Sequence, residues 1–359
     1  MPYLDLRQDP AELTAALCDI RSVSGEEGQL ADAIESALRR LDHLEVLRDG
    51  DAVVARTSLG RPERVVLAGH IDTVPLASTP NLPTWVTGSG SDAELHGRGT
   101  VDMKGGVAVQ LALAASLTAP NRDVTYVFYD GEEVESERNG LARVARNHPD
   151  WLDSTFAVLL EPTSGAVEGG CNGTIRVEVT THGVAAHSAR AWMGHNAIHE
   201  AGTLLGRLSA YEPQQVDVEG LAYRESLNAV LISGGVAGNV IPDRCVVTVN
   251  YRFAPSKTAQ EAEAHLRELF TGYDVTVTDA AGGARPGLDQ PSALAFVAMV
   301  GGEARPKYGW TDVARFSELG VPAVNYGPGD PLLAHSDDER VPLQQVRECA
   351  ERLRAWLSL

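Results

Sequence analysis

Apolar positions recur at helical spacing over residues 10–20 and 27–41, and a longer apolar face runs through 104–117. That period predicts amphipathic helices, because residues three and four apart share one helix face. Among them stand short continuous apolar runs: RVVLA at 64–68, DVTYVFY at 123–129 and FAVLL at 156–160. Runs of this length without alternation fit strands buried on both faces. Helices interleaved with such strands predict a layered α/β domain.

The texture changes near Thr174. Alternation over 175–180 (IRVEVT) predicts a half-exposed strand, followed by a helix over 196–208, strands over 228–233 and 245–253, a helix over 258–270 and a strand over 273–278. The order β-α-β-β-α-β is that of a small ferredoxin-like sheet with helices on one face. After a Gly-rich stretch at 281–287 the first texture returns, with a strand over 322–326 and a closing helix over 343–357. The expected architecture is therefore a three-layer α/β domain of mixed sheet, built from 1–173 and 285–359 and interrupted by an inserted domain at 174–284. Residues 73–91, polar and Pro-containing, carry few structural signals and are expected to be irregular.

A chain of 359 residues is long for one core, which agrees with two domains. The 43% of hydrophobic residues suffices for a sizeable interior. The balance of 30 basic against 49 acidic residues gives a formal charge of −19, which disfavours nucleic acid and anionic membrane surfaces as partners. An anionic ligand would need its own local arginine. No apolar run approaches the roughly 20 residues of a membrane-spanning helix. The opening Met1-Pro2-Tyr3-Leu4-Asp5 lacks the basic and apolar regions of a signal peptide, so a cytoplasmic location is expected. Cys18, Cys171, Cys245 and Cys349 are too scattered for a disulfide framework or a thiolate metal site.

The chemistry lies at the strand ends. RVVLA runs into Gly69-His70-Ile71-Asp72, DVTYVFY into Asp130-Gly131-Glu132-Glu133 and FAVLL into Glu161-Pro162-Thr163, while the strand near 321–326 leads through a Gly-rich loop to His335. Residues at the carboxyl ends of neighbouring strands converge on one crevice. One histidine or glutamate there means little, since such residues commonly face water. Four loaded strand ends, with Asp102 in the loop from Gly97 to Gly106, point to a metal site. Two histidines and three carboxylates without a thiolate suit Zn²⁺, Co²⁺ or Mn²⁺. A shared carboxylate can hold two such ions about 3.5–4 Å apart, and Asp102 is placed to be it. Asp72 can accept the second imidazole N–H of His70, or simply serve a turn or a cap. Adjacent Glu132 and Glu133 point in different directions from extended backbone, so one can ligate while the other acts as a base.

These residues carry a resemblance. The chain resembles the dinuclear zinc metallopeptidases and deacylases, among them aminoacylase, glutamate carboxypeptidase, acetylornithine deacetylase and succinyl-diaminopimelate desuccinylase. The similarity runs through Gly69 to Pro75, Gly97 to Gly106, Asp130 to Glu133, Glu161-Pro162-Thr163, Gly238-Asn239-Val240-Ile241-Pro242 and Ala334-His335-Ser336. It implies amide hydrolysis with two divalent metal ions, Zn²⁺ or Co²⁺ or Mn²⁺ in its place. His70 and Glu161 would hold one ion, Glu133 and His335 the other, and Asp102 would bridge them, with Glu132 as general base and then acid. It also implies that the inserted domain serves as a lid and forms a homodimer, and that His187, in Ala186-His187-Ser188-Ala189, reaches the site of a second copy to stabilise the oxyanion. From the residues alone, His187 is a histidine in a loop.

For the substrate, the resemblance implies that Arg252 grips a carboxylate, with Asn239 and Gly327 also in contact. Without the resemblance, an exposed strand residue in a surface ion pair is the preferred reading of Arg252. The stretch from Lys307 to Phe316 and on to His335 is most similar to desuccinylases of the actinobacterial type, which implies removal of succinate from an N-succinyl diamino acid. The segment Gly170-Cys171-Asn172-Gly173-Thr174 departs from better-known members, which carry an arginine before the glycine; Arg190 and Arg315 are candidates to replace it. Another deacylase or dipeptidase of the same family, and a catalytically silent binding protein, stand as alternatives.

Overall fold

The computed structural model describes residues 2–358. The chain divides into two compact units, the first taking the residues up to Gly169, Gly287–Arg305 and those from Arg315 onward, the second Gly170–Pro286 and Pro306–Ala314. The short piece Pro306–Ala314 thus leaves the unit to which the sequence pattern assigns it. Local bonds hold it there: Asn172 N–H donates to the Lys307 carbonyl at 3.2 Å, and the Trp310 indole to the Gly282 carbonyl at 3.1 Å.

In the first unit an eight-stranded sheet has the spatial order Glu45–Asp49, Ala52–Arg56, Asp123–Tyr129, Arg64–His70, Phe156–Leu159, Ala323–Asn325, Glu168–Gly169, Arg305–Pro306. Asp123–Tyr129, Arg64–His70, Phe156–Leu159 and Ala323–Asn325 run parallel at its centre, and antiparallel neighbours make the sheet mixed. Val65, Val66, Leu67 and Ala68 are all buried, as an unbroken apolar run requires when both faces are covered. Helices Pro10–Cys18, Gly28–Leu38, Lys104–Ser116, Pro291–Val300 and Leu343–Ser358 share one apolar core with alternate sheet residues such as Val65, Leu67, Tyr126 and Val158. Asp9 caps the first of these helices through the N–H of Ala11, with Pro10 at a position where no N–H is needed.

The second unit contains a four-stranded antiparallel sheet in the order Ser226–Gly234, Arg244–Phe253, Gly173–His182, Asp274–Ala281. Helices Ala197–Ser209 and Ala259–Leu269 bury Ala201, Leu204, Ala262 and Leu266 against Ile175, Val177, Val179, Val247 and Val249. The opposite face carries Thr174, Arg176, Asn250 and Arg252, the other half of the strand alternation. A capping box joins Thr258 and Glu261 at the start of the second helix.

Several elements add to the sequence expectation. A hairpin pairs Glu45–Asp49 with Ala52–Arg56 around Gly50, whose φ of 61° suits the tight turn. Within the stretch expected to be irregular, Trp85–Thr87 joins Glu94–His96 and Arg340–Pro342 in a three-stranded sheet. The β-α-β-β-α-β order of the second unit contains an extra hairpin, Gln215–Val218 with Leu221–Arg224. Helices at Gly140–Asn147 and Pro291–Val300 are also additions.

Candidate metal centre

The parallel register sets the ends of the central strands side by side. His70, the last residue of its strand, is opposite Tyr129, the last residue of the next, so that Asp130 to Glu133 begin beside it. On the other flank Ala68 pairs with Leu159, and Glu161 follows two residues later. The chain after Leu159 is closely packed: a Cβ on either Gly106 or Gly327 would collide with the Leu160 carbonyl oxygen.

Asp102 lies between two histidines. Its Oδ1 is 3.1 Å from His70 Nε2 and its Oδ2 is 3.3 Å from His335 Nε2, while His335 Nε2 is also 3.1 Å from Glu133 Oε1. The peptide from Asp102 to Met103 is cis. Ligand atoms of His70, Asp102 and Glu133 all fall within 4.8 Å of one another, a spacing that can hold a metal ion. Donors about 2.0–2.1 Å from one ion in tetrahedral geometry stand roughly 3.3 Å apart, so these distances and the nitrogen and oxygen donor set fit a divalent cation. Glu161 is 6% exposed, and its carboxylate lies outside that three-residue group.

The carboxylates set the charge state of both histidines. Burial opposes the charged form of His70, yet the Asp102 and Asp72 carboxylates outweigh it and hold its pKa well above the ordinary value. The Asp102 and Glu133 carboxylates push His335 up to about 10. Burial raises the Asp102 pKa, but both histidines outweigh that effect and leave it below the usual carboxylate range. Asp72, fully buried, is also held below its ordinary value, with burial overcome by His70 and Ser24.

Asp72 contacts His70, Glu132 and Glu133. His70 Nδ1 is 3.1 Å from the Asp72 carbonyl oxygen and 3.4 Å from its Oδ1, which leaves Nε2 facing Asp102. The same carboxylate accepts the N–H of Glu132 and of Glu133, each at 3.1 Å, and the Ser24 hydroxyl at 2.7 Å. A second buried carboxylate, Glu339, accepts the N–H groups of Val101 and Asp102 at 3.0 and 3.2 Å.

The remaining expected residues belong to the second unit, except Gly327. His187 is exposed, and its Nδ1 accepts the Ala189 N–H at 3.0 Å, so the neutral ring presents an N–H at Nε2. It pairs with Val240, and Ser188 N–H donates to the Asn239 carbonyl at 2.9 Å, bringing His187 and Asn239 together. Arg252 donates to Asn250 Oδ1 at 3.2 Å; burial first, and then the nearby Arg176 charge, pull its pKa down. Gly327 has its N–H 3.1 Å from the Thr163 hydroxyl oxygen and its carbonyl accepting from Thr163 and Gly165, so its backbone is committed to holding the Glu161 segment. Asn172, in the segment expected to depart from better-known members, is buried and donates to the Arg224 carbonyl at 2.8 Å. Arg190 is exposed in the second unit, and Arg315 in the first donates to the Ser136 hydroxyl.

Residues 66–358 match the model of peptidase family M20/M25/M40. The chain belongs to that family. It is 47% identical over 368 residues to a Corynebacterium glutamicum succinyl-diaminopimelate desuccinylase, covering 99% of this chain and 98% of the relative. It is 54% identical over 357 residues to a protein of Mycobacterium tuberculosis (strain ATCC 25618 / H37Rv), provisionally named succinyl-diaminopimelate desuccinylase DapE, covering 99% of both. Among solved structures, a tripeptidase of Staphylococcus aureus superposes with a TM-score of 0.77 at 19% identity, covering 98% of this chain and 97% of that one. A dinuclear metal-binding peptidase of Bacillus subtilis from the M20 family has a TM-score of 0.73 at 15% identity, covering 98% and 97%. These two share the α/β fold.

Ser24, Arg98, Arg176 and Glu339 escape sequence reasoning. Ser24 and Glu339 act on backbone or second-layer partners at long sequence separation, which leaves no local pattern. Arg176 had a detectable signal, since it alternates out of the apolar strand face.

Proposed function

We propose that the chain is a metal-dependent amide hydrolase that converts N-succinyl-LL-2,6-diaminopimelate to LL-diaminopimelate and succinate. The observation that carries this reading is the placement of Asp102 between His70 and His335, within a chain related over its whole length to desuccinylases. In this proposal His70 and Glu161 would hold one ion, Glu133 and His335 would hold a second, and Asp102 would be shared between them. When bound, two Zn²⁺ ions, or Co²⁺ or Mn²⁺, supply Lewis-acid polarisation and lower the pKa of water.

The side chains do the rest. Glu132 takes a proton from the attacking water on its carboxylate and delivers it to the leaving amine nitrogen. Asp72 fixes the His70 ring so that Nε2 faces Asp102, and holds the main chain of Glu132 and Glu133. His187 donates its Nε2–H to the developing oxyanion. Arg252 pairs with a substrate carboxylate, assisted by Asn239. Arg252 and Arg176 lie on neighbouring strands of one sheet face, and this local positive charge suits an anionic substrate in a protein of net charge −19.

We infer a homodimer formed through the second unit, with His187 supplied to the site of the other copy. Ser226–Gly234 is an edge strand, and Val230, Leu231 and Ile232 on it are 51%, 69% and 53% exposed. An apolar open edge favours pairing with a like strand. A cytoplasmic location completes the proposal; no helix among the described residues is long and apolar enough to cross a membrane.

The test compares turnover of N-succinyl-diaminopimelate, N-acetylornithine and simple dipeptides by the metal-loaded enzyme. Succinyl-diaminopimelate should be preferred by orders of magnitude. Preference for either of the others would replace the desuccinylase reading with that of another deacylase or a dipeptidase.

A further inference from the structure

Beneath the ligand cluster lies an ion pair almost wholly shielded from solvent. Arg98 Nη1 and Glu339 Oε2 are 2.8 Å apart, with side chains 4% and 1% exposed. Such a pair is a poor source of net stability, because desolvating two charges offsets most of their attraction. Its worth lies in where its other atoms go.

Each remaining contact ends on the main chain of a segment that carries an expected metal ligand. Glu339 Oε1 accepts the N–H of Val101 at 3.0 Å and of Asp102 at 3.2 Å. Arg98 Nε donates to the Pro75 carbonyl, in the segment that follows His70, at 3.1 Å. Arg98 Nη1 donates to the carbonyl of Ser336, next to His335, at 3.2 Å. The Glu339 carbonyl accepts the Gly97 N–H at 3.0 Å, closing the loop that leads to Asp102. One guanidinium and one carboxylate therefore tie together three stretches of chain that local sequence does not connect.

The geometry needs such a tie. Asp102 has to present one oxygen to His70 and the other to His335 at 3.1 and 3.3 Å, so a small rotation of its peptide would spoil both contacts at once. We propose that Arg98 and Glu339 are positioning residues for the metal pair: they set Asp102 between the two histidines, and their loss weakens both metal positions together. This rests on the dinuclear reading given above.

The experiment titrates metal-free full-length wild type, Glu339→Gln and Arg98→Lys with Co²⁺ in a calorimeter, recording the visible Co²⁺ spectrum and the melting temperature of each metal-free form. Glutamine keeps one acceptor oxygen but removes the charge, and lysine keeps the charge but not the planar fork. Wild type should take up two equivalents. Both variants should bind both equivalents about 10- to 100-fold more weakly, the range typical for groups that orient metal ligands, with an altered spectrum. Wild-type affinities and spectra in the variants, even with a lower melting temperature, would overturn the proposal, as would a loss confined to one equivalent. Failure of wild type itself to bind Co²⁺ would instead overturn the metal reading. Should Glu339→Gln fail to fold, Arg98→Lys carries the same readouts.

Discussion

The Asp72 carboxylate accepts the backbone N–H of Glu133 at 3.1 Å, 61 residues along the chain, and so joins the ends of two neighbouring strands. The same group faces His70 and holds Glu132. Asn at this position can offer only one oxygen to this set of donors. Asp72→Asn should lower metal affinity about 10- to 100-fold and reduce turnover in step, checked by calorimetric titration and steady-state kinetics. Unchanged affinity would remove Asp72 from the metal site.

Glu132→Gln tests proton transfer separately from ligation. The substitution preserves shape but cannot accept a proton at neutral pH. Metal content and fold should be unchanged while kcat falls about 10²- to 10⁴-fold, measured by elemental analysis, circular dichroism and initial rates. Near-normal turnover would assign the base to another group.

Arg252→Ala should raise KM for the succinylated substrate about 10- to 100-fold with a smaller effect on kcat, as expected for loss of a charged hydrogen-bonded contact of about 1.5–3 kcal/mol. Arg176→Ala should shift KM in the same direction but less, because Arg176 is more exposed. A KM left unchanged by Arg252→Ala would detach that face from substrate binding.

Acid stability should depend on Asp123. Burial raises its pKa, but the N–H of Leu59, the hydroxyl of Thr57 and the N–H of Arg61 outweigh burial and hold the carboxyl below its ordinary value. A lowered native pKa contributes stability that is fully present above the unfolded value of about 3.9 and is lost as pH falls through the native one. Asp123→Asn should therefore lower the melting temperature at pH 7 and flatten its decline between about pH 5 and the acid limit. A melting curve with the wild-type acid slope would contradict the assignment.

The central strands are legible in the sequence because burial on both faces demands an unbroken apolar run, and Arg64–His70 ends visibly in the proposed ligand His70. The hairpin around Gly50 is harder to see, since Glu45–Asp49 is only partly buried and shows no clean apolar run. Trp85–Thr87 is three exposed residues held by strand partners, one of which lies near the other end of the chain. Among site residues, histidines and carboxylates at strand ends declare themselves by type and place. Glu339 does not, because its task is to accept backbone N–H groups more than 230 residues away, and any acid in a loop looks the same. Gly327, a proposed substrate contact, has its N–H and carbonyl hydrogen-bonded to Thr163.

The placement of His335 also orders events in the making of the protein. It follows Glu133 by 202 residues, with the whole second unit translated in between. A nascent chain carries the carboxylates of the centre long before the second histidine arrives, and closing so long a loop is slow. A chain that stops before His335 has His70 and the carboxylates without the second histidine. Completion of the proposed metal centre thus waits on a segment that is translated only after the second unit.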